Sequence, residues 1–172
     1  MNNILETVKE ISTKLTPANI LISTAESCTG GLISKYLTDL SGSSKFYDCS
    51  IIAYSNESKS SLLNVDAATI SNNGAVSEEV VKEMTKGLLS ISRATIAVAV
   101  SGIMGPTSDN AQKANGSVWI CIQSKPSLEN PDSFTIDRQK TYFYQLAGNR
   151  DANRQETAKL AIINLYDFIN EL

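Results

Sequence analysis

"ATIAVAVSG", Ala94–Gly102, is the stretch on which the fold turns. It is an unbroken apolar run of strand length. Such runs are typical of parallel sheets covered on both faces. The pattern alternates on either side of it. Upstream, "SEEVVKEMTKGLLSIS" opens with Ser77, an N-cap residue, and has glutamates in its first turn. Val80, Met84, Leu88 and Ile91 line one face of that helix. Downstream, "GSVWICIQS" (Gly116–Ser124) and "FTIDRQKTYFYQL" (Phe134–Leu146) read as two strands in succession.

Nearer the N-terminus, Ile4, Val8, Ile11 and Leu15 recur at helical spacing over residues 3–15, and Pro17 stops that helix. "NILIST" (Asn19–Thr24) reads as a buried strand, and Gly30 and Gly31 lead into a helix ending near Leu40. After the turn "SGSS" (41–44) come a strand over Phe46–Ser55 and a short helix over Asn56–Leu63. The last segment, from Arg150, reads as a helix packed on the sheet through Ala158, Ala161, Ile162, Leu165 and Ile169. Residues 103–115 form a polar loop of a length that is more often functional than decorative. The order of elements predicts a three-layer α/β/α sandwich with a mixed, mostly parallel sheet. Its ligands are expected at the carboxyl ends of the strands. That edge should gather "ESCTGG", "YSNESK" and "SGIMGP".

The 172 residues predict one domain, spanning 1–172, and a hydrophobic content of 42 % is enough for a sizeable core. A net charge of −3 and no basic run argue against a nucleic-acid face. No 18-residue apolar stretch suggests a membrane span, and no signal peptide is visible. Cys28, Cys49 and Cys121 are too widely spaced for a CxxC pair or a disulfide framework, so a reducing, cytoplasmic setting is expected. The most informative count is zero: the chain has no histidine. That excludes a Ser-His-Asp triad, a Cys-His pair and a His-ligated zinc within one chain.

"TAESCTGG", Thr24–Gly31, permits three readings. Its hydroxyls and glycines are ordinary helix-start residues. Its free amides, at Thr29, Gly30 and Gly31, suit a phosphate or a developing oxyanion, although no complete P-loop is present. Or Ser27 is a nucleophile, which requires a base within hydrogen-bond reach. Without histidine, Lys59 is the best base, provided burial keeps it neutral; the plain alternative is a solvated surface lysine. Tyr54 precedes it in "YSNESK" and is placed to relay a proton. Cys28 is a rival nucleophile or a small buried residue. Asp39, Glu26 and Glu57 show no spacing that singles out a carboxylate pair. Arg150 and Arg154, four apart, suit a phosphate or pair with Asp151 or Glu156 at the surface.

"TAESCTGGLIS", "SGSSKFYDCSIIAYSNESK", "GAVSEEVVKEMTKG", "AVAVSGIMGP" and "GSVWI" together resemble the CinA C-terminal domain family, in the family's order and over nearly the whole chain. That family includes the stand-alone nicotinamide-nucleotide amidohydrolases. The resemblance implies hydrolysis of the carboxamide of nicotinamide mononucleotide (NMN) to nicotinate mononucleotide and ammonia, in pyridine-nucleotide salvage. It implies no metal and no cofactor, and a homo-oligomer. It places the nucleophile on Ser27, the lysine base on Lys59, the active-site tyrosine on Tyr54, a hydroxyl on Ser101 and an arginine on Arg150, with Arg154 close behind. Three departures stand out. "TSDNAQKANG" follows Gly105-Pro106 where glycines are usual, Met104 replaces a small residue and crowds the pocket, and Cys49 stands where glycine is common. The competing expectation is a catalytically weak or inactive nucleotide-binding or competence-associated protein that keeps the fold.

Overall fold

The computed structural model describes residues 3–106, 113–126 and 137–172. Part of the 103–115 loop and the start of the strand expected from Phe134 lie outside the described residues. In chain order the elements are α1 (Ile4–Leu15), β1 (Ile22–Glu26), α2 (Leu32–Thr38), β2 (Tyr47–Ile52), α3 (Asn56–Leu63), α4 (Ala67–Asn73), α5 (Glu78–Ile91), β3 (Ile96–Gly102), β4 (Ser117–Ser124), β5 (Arg138–Gln145) and α6 (Arg150–Asn170). A short 3-10 turn, Ser43–Lys45, precedes β2. The strand order is β2-β1-β3-β4-β5. β1 pairs in parallel with β2 and β3, whereas β4 is antiparallel to both β3 and β5. Four strands therefore point one way and β4 alone runs against them, which is the mixed, mostly parallel sheet expected.

The apolar run 94–102 turns out to have an internal alternation that decides the layers. Ile96, Val98 and Val100 face a core shared with α1, α2 and α6. Ala97 and Ala99 face the other core, against α5. Large residues fill one side and small ones admit a helix closely on the other, and every residue from Ile96 to Val100 is fully buried. α5 makes a second close approach at Gly87. A Cβ there would lie 1.7 Å from the Leu63 carbonyl oxygen at the end of α3.

Ser77 caps α5 as the sequence suggests, whereas α2 starts at Gly31 with no side-chain cap, and Ser55, which the sequence reading does not single out, caps α3. Ser77 Oγ accepts from Val80 N at 3.4 Å, and Ser55 Oγ from Ser58 N at 3.0 Å. One helix was not expected: α4 is seven residues long and buries only Ile70, too little for a periodic signal.

Candidate active site

The crevice opens where chain paths diverge. The segment leaving β1 runs to β2, while the one leaving β3 runs to β4, on the opposite side. This is the topological position at which open α/β sheets take ligands. A cavity of about 550 Å³ sits there, lined by Ser27, Cys28, Tyr54, Asn56, Lys59, Ser101, Met104 and Arg150 among others.

Ser27 stands one residue beyond β1, and its N–H extends the sheet ladder to Val100 O at 3.2 Å. Lys59 sits one turn into α3. The only buried residues of that helix are Lys59 and Leu63, four apart on one face, so the packing that buries Leu63 also turns the lysine inward. Lys59 is 2 % exposed, not a surface lysine. Its Nζ donates to Ser27 Oγ (3.0 Å), Ala53 O (3.1 Å) and Tyr54 O (3.2 Å). Burial holds its pKa below the ordinary lysine range, only partly opposed by Cys28 and Glu57. Cys28 beside it is buried, and desolvation pushes its thiol up to about 12. A neutral, buried thiol is a poor nucleophile. All three cysteines are free.

Tyr54 is largely exposed at the cavity mouth, where its Oη accepts from Arg150 Nη2 at 2.9 Å. Arg150 Nη1 also donates to Gly105 O at 3.1 Å. Ser101 is buried and donates to Ala75 O at 2.8 Å. Met104 is 4 % exposed and lines the cavity.

Four of the residues expected to hold a ligand are outside the cavity lining. The Gly31 amide and the Thr29 hydroxyl bond to the Glu26 carboxylate, at 2.9 and 2.7 Å, and the Gly30 amide bonds to Ser27 O at 3.2 Å. Thr29, Gly30 and Gly31 do not line the cavity. Nor does Arg154, whose guanidinium donates to the carbonyls of Cys28 and Thr29. Neither Arg150 nor Arg154 pairs with a carboxylate among the described residues. The sequence reading missed the wall formed by Asn56, Ile70 and Gly74–Val76. Its signals were the glycine in "NNGAVS", which ends α4 with a positive φ of 80°, and the stretches "YSNESK" and "GAVSEEVVKEMTKG", which contain Asn56 and Gly74–Val76. Among the described residues no group of carboxylates and thiols has the form of a metal site, and no helix is long and apolar enough to cross a membrane.

These features define an α/β/α domain with a serine–lysine pair at the carboxyl edge of its sheet. The chain belongs to the CinA C-terminal domain family, whose profile matches residues 5–169. It is 33 % identical to the nicotinamide-nucleotide amidohydrolase PncC of Escherichia coli (strain K12), covering 96 % of this chain and 94 % of that one. It is 40 % identical to the PncC of Enterobacter agglomerans, covering 89 % and 87 %. A CinA-like protein of Chlorobium limicola is also 40 % identical, but the chain spans only 38 % of its length. Among solved structures, the competence/damage inducible protein CihA from Agrobacterium tumefaciens superposes with a TM-score of 0.87 at 34 % identity, covering 97 % of this chain and 95 % of that one.

Proposed function

We propose that the protein is an NMN amidohydrolase, converting NMN and water to nicotinate mononucleotide and ammonia by a Ser27–Lys59 mechanism. The observation that carries this reading is the buried Lys59 Nζ 3.0 Å from Ser27 Oγ. The names of the two PncC relatives support the substrate.

A neutral amine has two N–H groups and one lone pair. In the neutral form the carbonyls of Ala53 and Tyr54 account for both N–H groups. The Ser27 contact, a donation from the charged ammonium, then reverses, so that the lone pair accepts from the Ser27 hydroxyl. The serine oxygen bonds to the carboxamide carbon as its proton passes to Lys59. The Cys28 N–H, which no other described residue takes up, then faces the oxyanion, as is usual for the residue after a nucleophile. Lys59 returns the proton to the departing nitrogen as the C–N bond breaks and ammonia leaves. Water attacks the acyl-enzyme, giving its proton to Lys59. Ser27 leaves, reprotonated, and nicotinate mononucleotide is released. Arg150, at the cavity mouth, is the cation for the substrate's 5′-phosphate.

Ammonia release from NMN tests this directly. Turnover by the native protein, abolished in Ser27→Ala and kept in Cys28→Ala, is the expected result. NMN bound without turnover at high protein concentration would favour the non-catalytic reading instead.

A further inference from the structure

The residue in front of Ser27 is a carboxylate with no solvent exposure. A buried charge must be compensated by partners, or it costs heavily. Glu26 has six. Oε2 accepts from Thr29 Oγ1 (2.7 Å), Gly31 N (2.9 Å) and Ile33 N (3.1 Å). Oε1 accepts from Ser34 Oγ (2.6 Å), Ser34 N (2.8 Å) and Thr24 Oγ1 (3.3 Å). Helix α2 begins behind Gly31, which has no side chain to cap it. The strand's last residue therefore supplies the acceptor for amides that a helix start leaves unpaired, at the favourable end of its dipole.

The same turn is held from its other side. Arg154, on α6, donates Nε to Cys28 O (3.2 Å) and Nη2 to Thr29 O (2.9 Å). Glu26 thus takes up the Thr29 hydroxyl, the Gly31 amide and the first amides of α2, and Arg154 the carbonyls of Cys28 and Thr29. Gly30 and Gly31, with φ of 59° and 100°, give the chain the left-handed path between these anchors. A Cβ on Gly30 would already lie 3.3 Å from the Arg154 guanidinium.

We propose that Glu26 and Arg154 are paired positioning residues that clamp the Ser27 turn, setting Ser27 Oγ against Lys59 and the Cys28 N–H toward the developing oxyanion, and that neither touches substrate. This rests on Ser27 being the nucleophile. The residue types are specific to the task. Each Glu26 oxygen meets at least one backbone N–H, so a glutamine in either orientation sets its own NH₂ against a donor. Arg154 reaches two successive carbonyls with two nitrogens of one rigid plane, which a lysine cannot reproduce. A misplacement of about 1 Å at a reacting group costs on the order of a hundredfold in rate.

The test uses Glu26→Gln and Arg154→Lys, with steady-state NMN hydrolysis and covalent labelling of Ser27 by a fluorophosphonate, a probe with no nucleotide part. The expected result is a loss of about a hundredfold in both kcat and labelling rate, with KM for NMN nearly unchanged. The pH at which the rate levels off should stay in place. A rise in KM with normal labelling of Arg154→Lys would make Arg154 a phosphate ligand and overturn the clamp. A moved pH inflection in Glu26→Gln would make that residue an electrostatic partner of Lys59, and normal rates in both variants would leave only packing; either result overturns it too. If Glu26→Gln does not fold by circular dichroism, Arg154→Lys carries the same test. Native protein that labels at Ser27 but does not hydrolyse NMN would sink the substrate assignment while the labelling rates still decide the clamp. Native protein that does not label would sink both.

Discussion

At the scale of single residues, Lys59 carries the chemistry because of where it is buried. Its lowered pKa follows from desolvation, and a base acts only in its neutral form. The rate should therefore rise with pH and level off below the ordinary lysine range, and Lys59→Ala should lose both the inflection and on the order of a hundred- to ten-thousand-fold in kcat. A pH–rate profile of the two proteins checks this; near-native rates in the variant would demote the lysine to a structural role. Stability follows the same proton. Between the lowered folded value and the unfolded one, the unfolded chain binds the proton more tightly. Lys59 therefore contributes increasing stability as pH rises through that window and least below it. Denaturation midpoints across that range should show the slope in the native protein and its loss in Lys59→Met. Cys28 is a neighbour in the cavity wall, kept as a neutral thiol by burial.

At the scale of elements, the site depends on how α3 sits against α5. Lys59 and Leu63 share the buried face of α3, and Gly87 of α5 admits the Leu63 carbonyl where a methyl group would collide. Gly87→Ala should push the two helices apart. Overpacking of this kind costs about 1–3 kcal/mol, read as a lower denaturation midpoint. It should lower turnover as well, because α3 carries the base. Retained stability with normal kcat would mean that α3 is not held by this contact. The helices α1, α5 and α6 were legible in the sequence, because each repeats apolar residues along one face. The helix α4 was not, because its single buried side chain, Ile70, makes no period.

At the scale of the whole molecule, the two cores ask opposite things of adjacent positions in β3. Ile96 fills the α1/α2/α6 side, while Ala97 lets α5 close on the sheet. Ile96→Ala should cost about 2–5 kcal/mol through the cavity it leaves. Ala97→Leu should cost about 1–3 kcal/mol through overpacking. Equilibrium denaturation of both variants checks the pair, and tolerance of leucine at 97 would show that α5 does not seat closely there. The same two-sided sheet brings Ser27, Tyr54, Lys59 and Ser101 to one cavity from the ends of three strands and the helix α3.

By itself the sequence determined the alternation of strands and helices, the sheet edge at which the motifs meet, and the chemical alphabet of the site. With no histidine in the chain, Ser27 has only a few residue types to turn to, and Lys59 is the one that the motif "YSNESK" offers. Only the tertiary structure decided which charges are spent inside the protein. Arg150 and Arg154 are equivalent on a helical repeat, yet one lines the cavity and the other holds carbonyls 125 and 126 positions away. Glu26 shows no special spacing, yet its carboxylate takes the Gly31 amide that "TAESCTGG" seemed to hold open for a ligand, together with the first amides of α2. The physical reason is that hydrogen-bond demand and desolvation depend on which distant segments pack together. Periodicity records the face a residue occupies, not the partner waiting there.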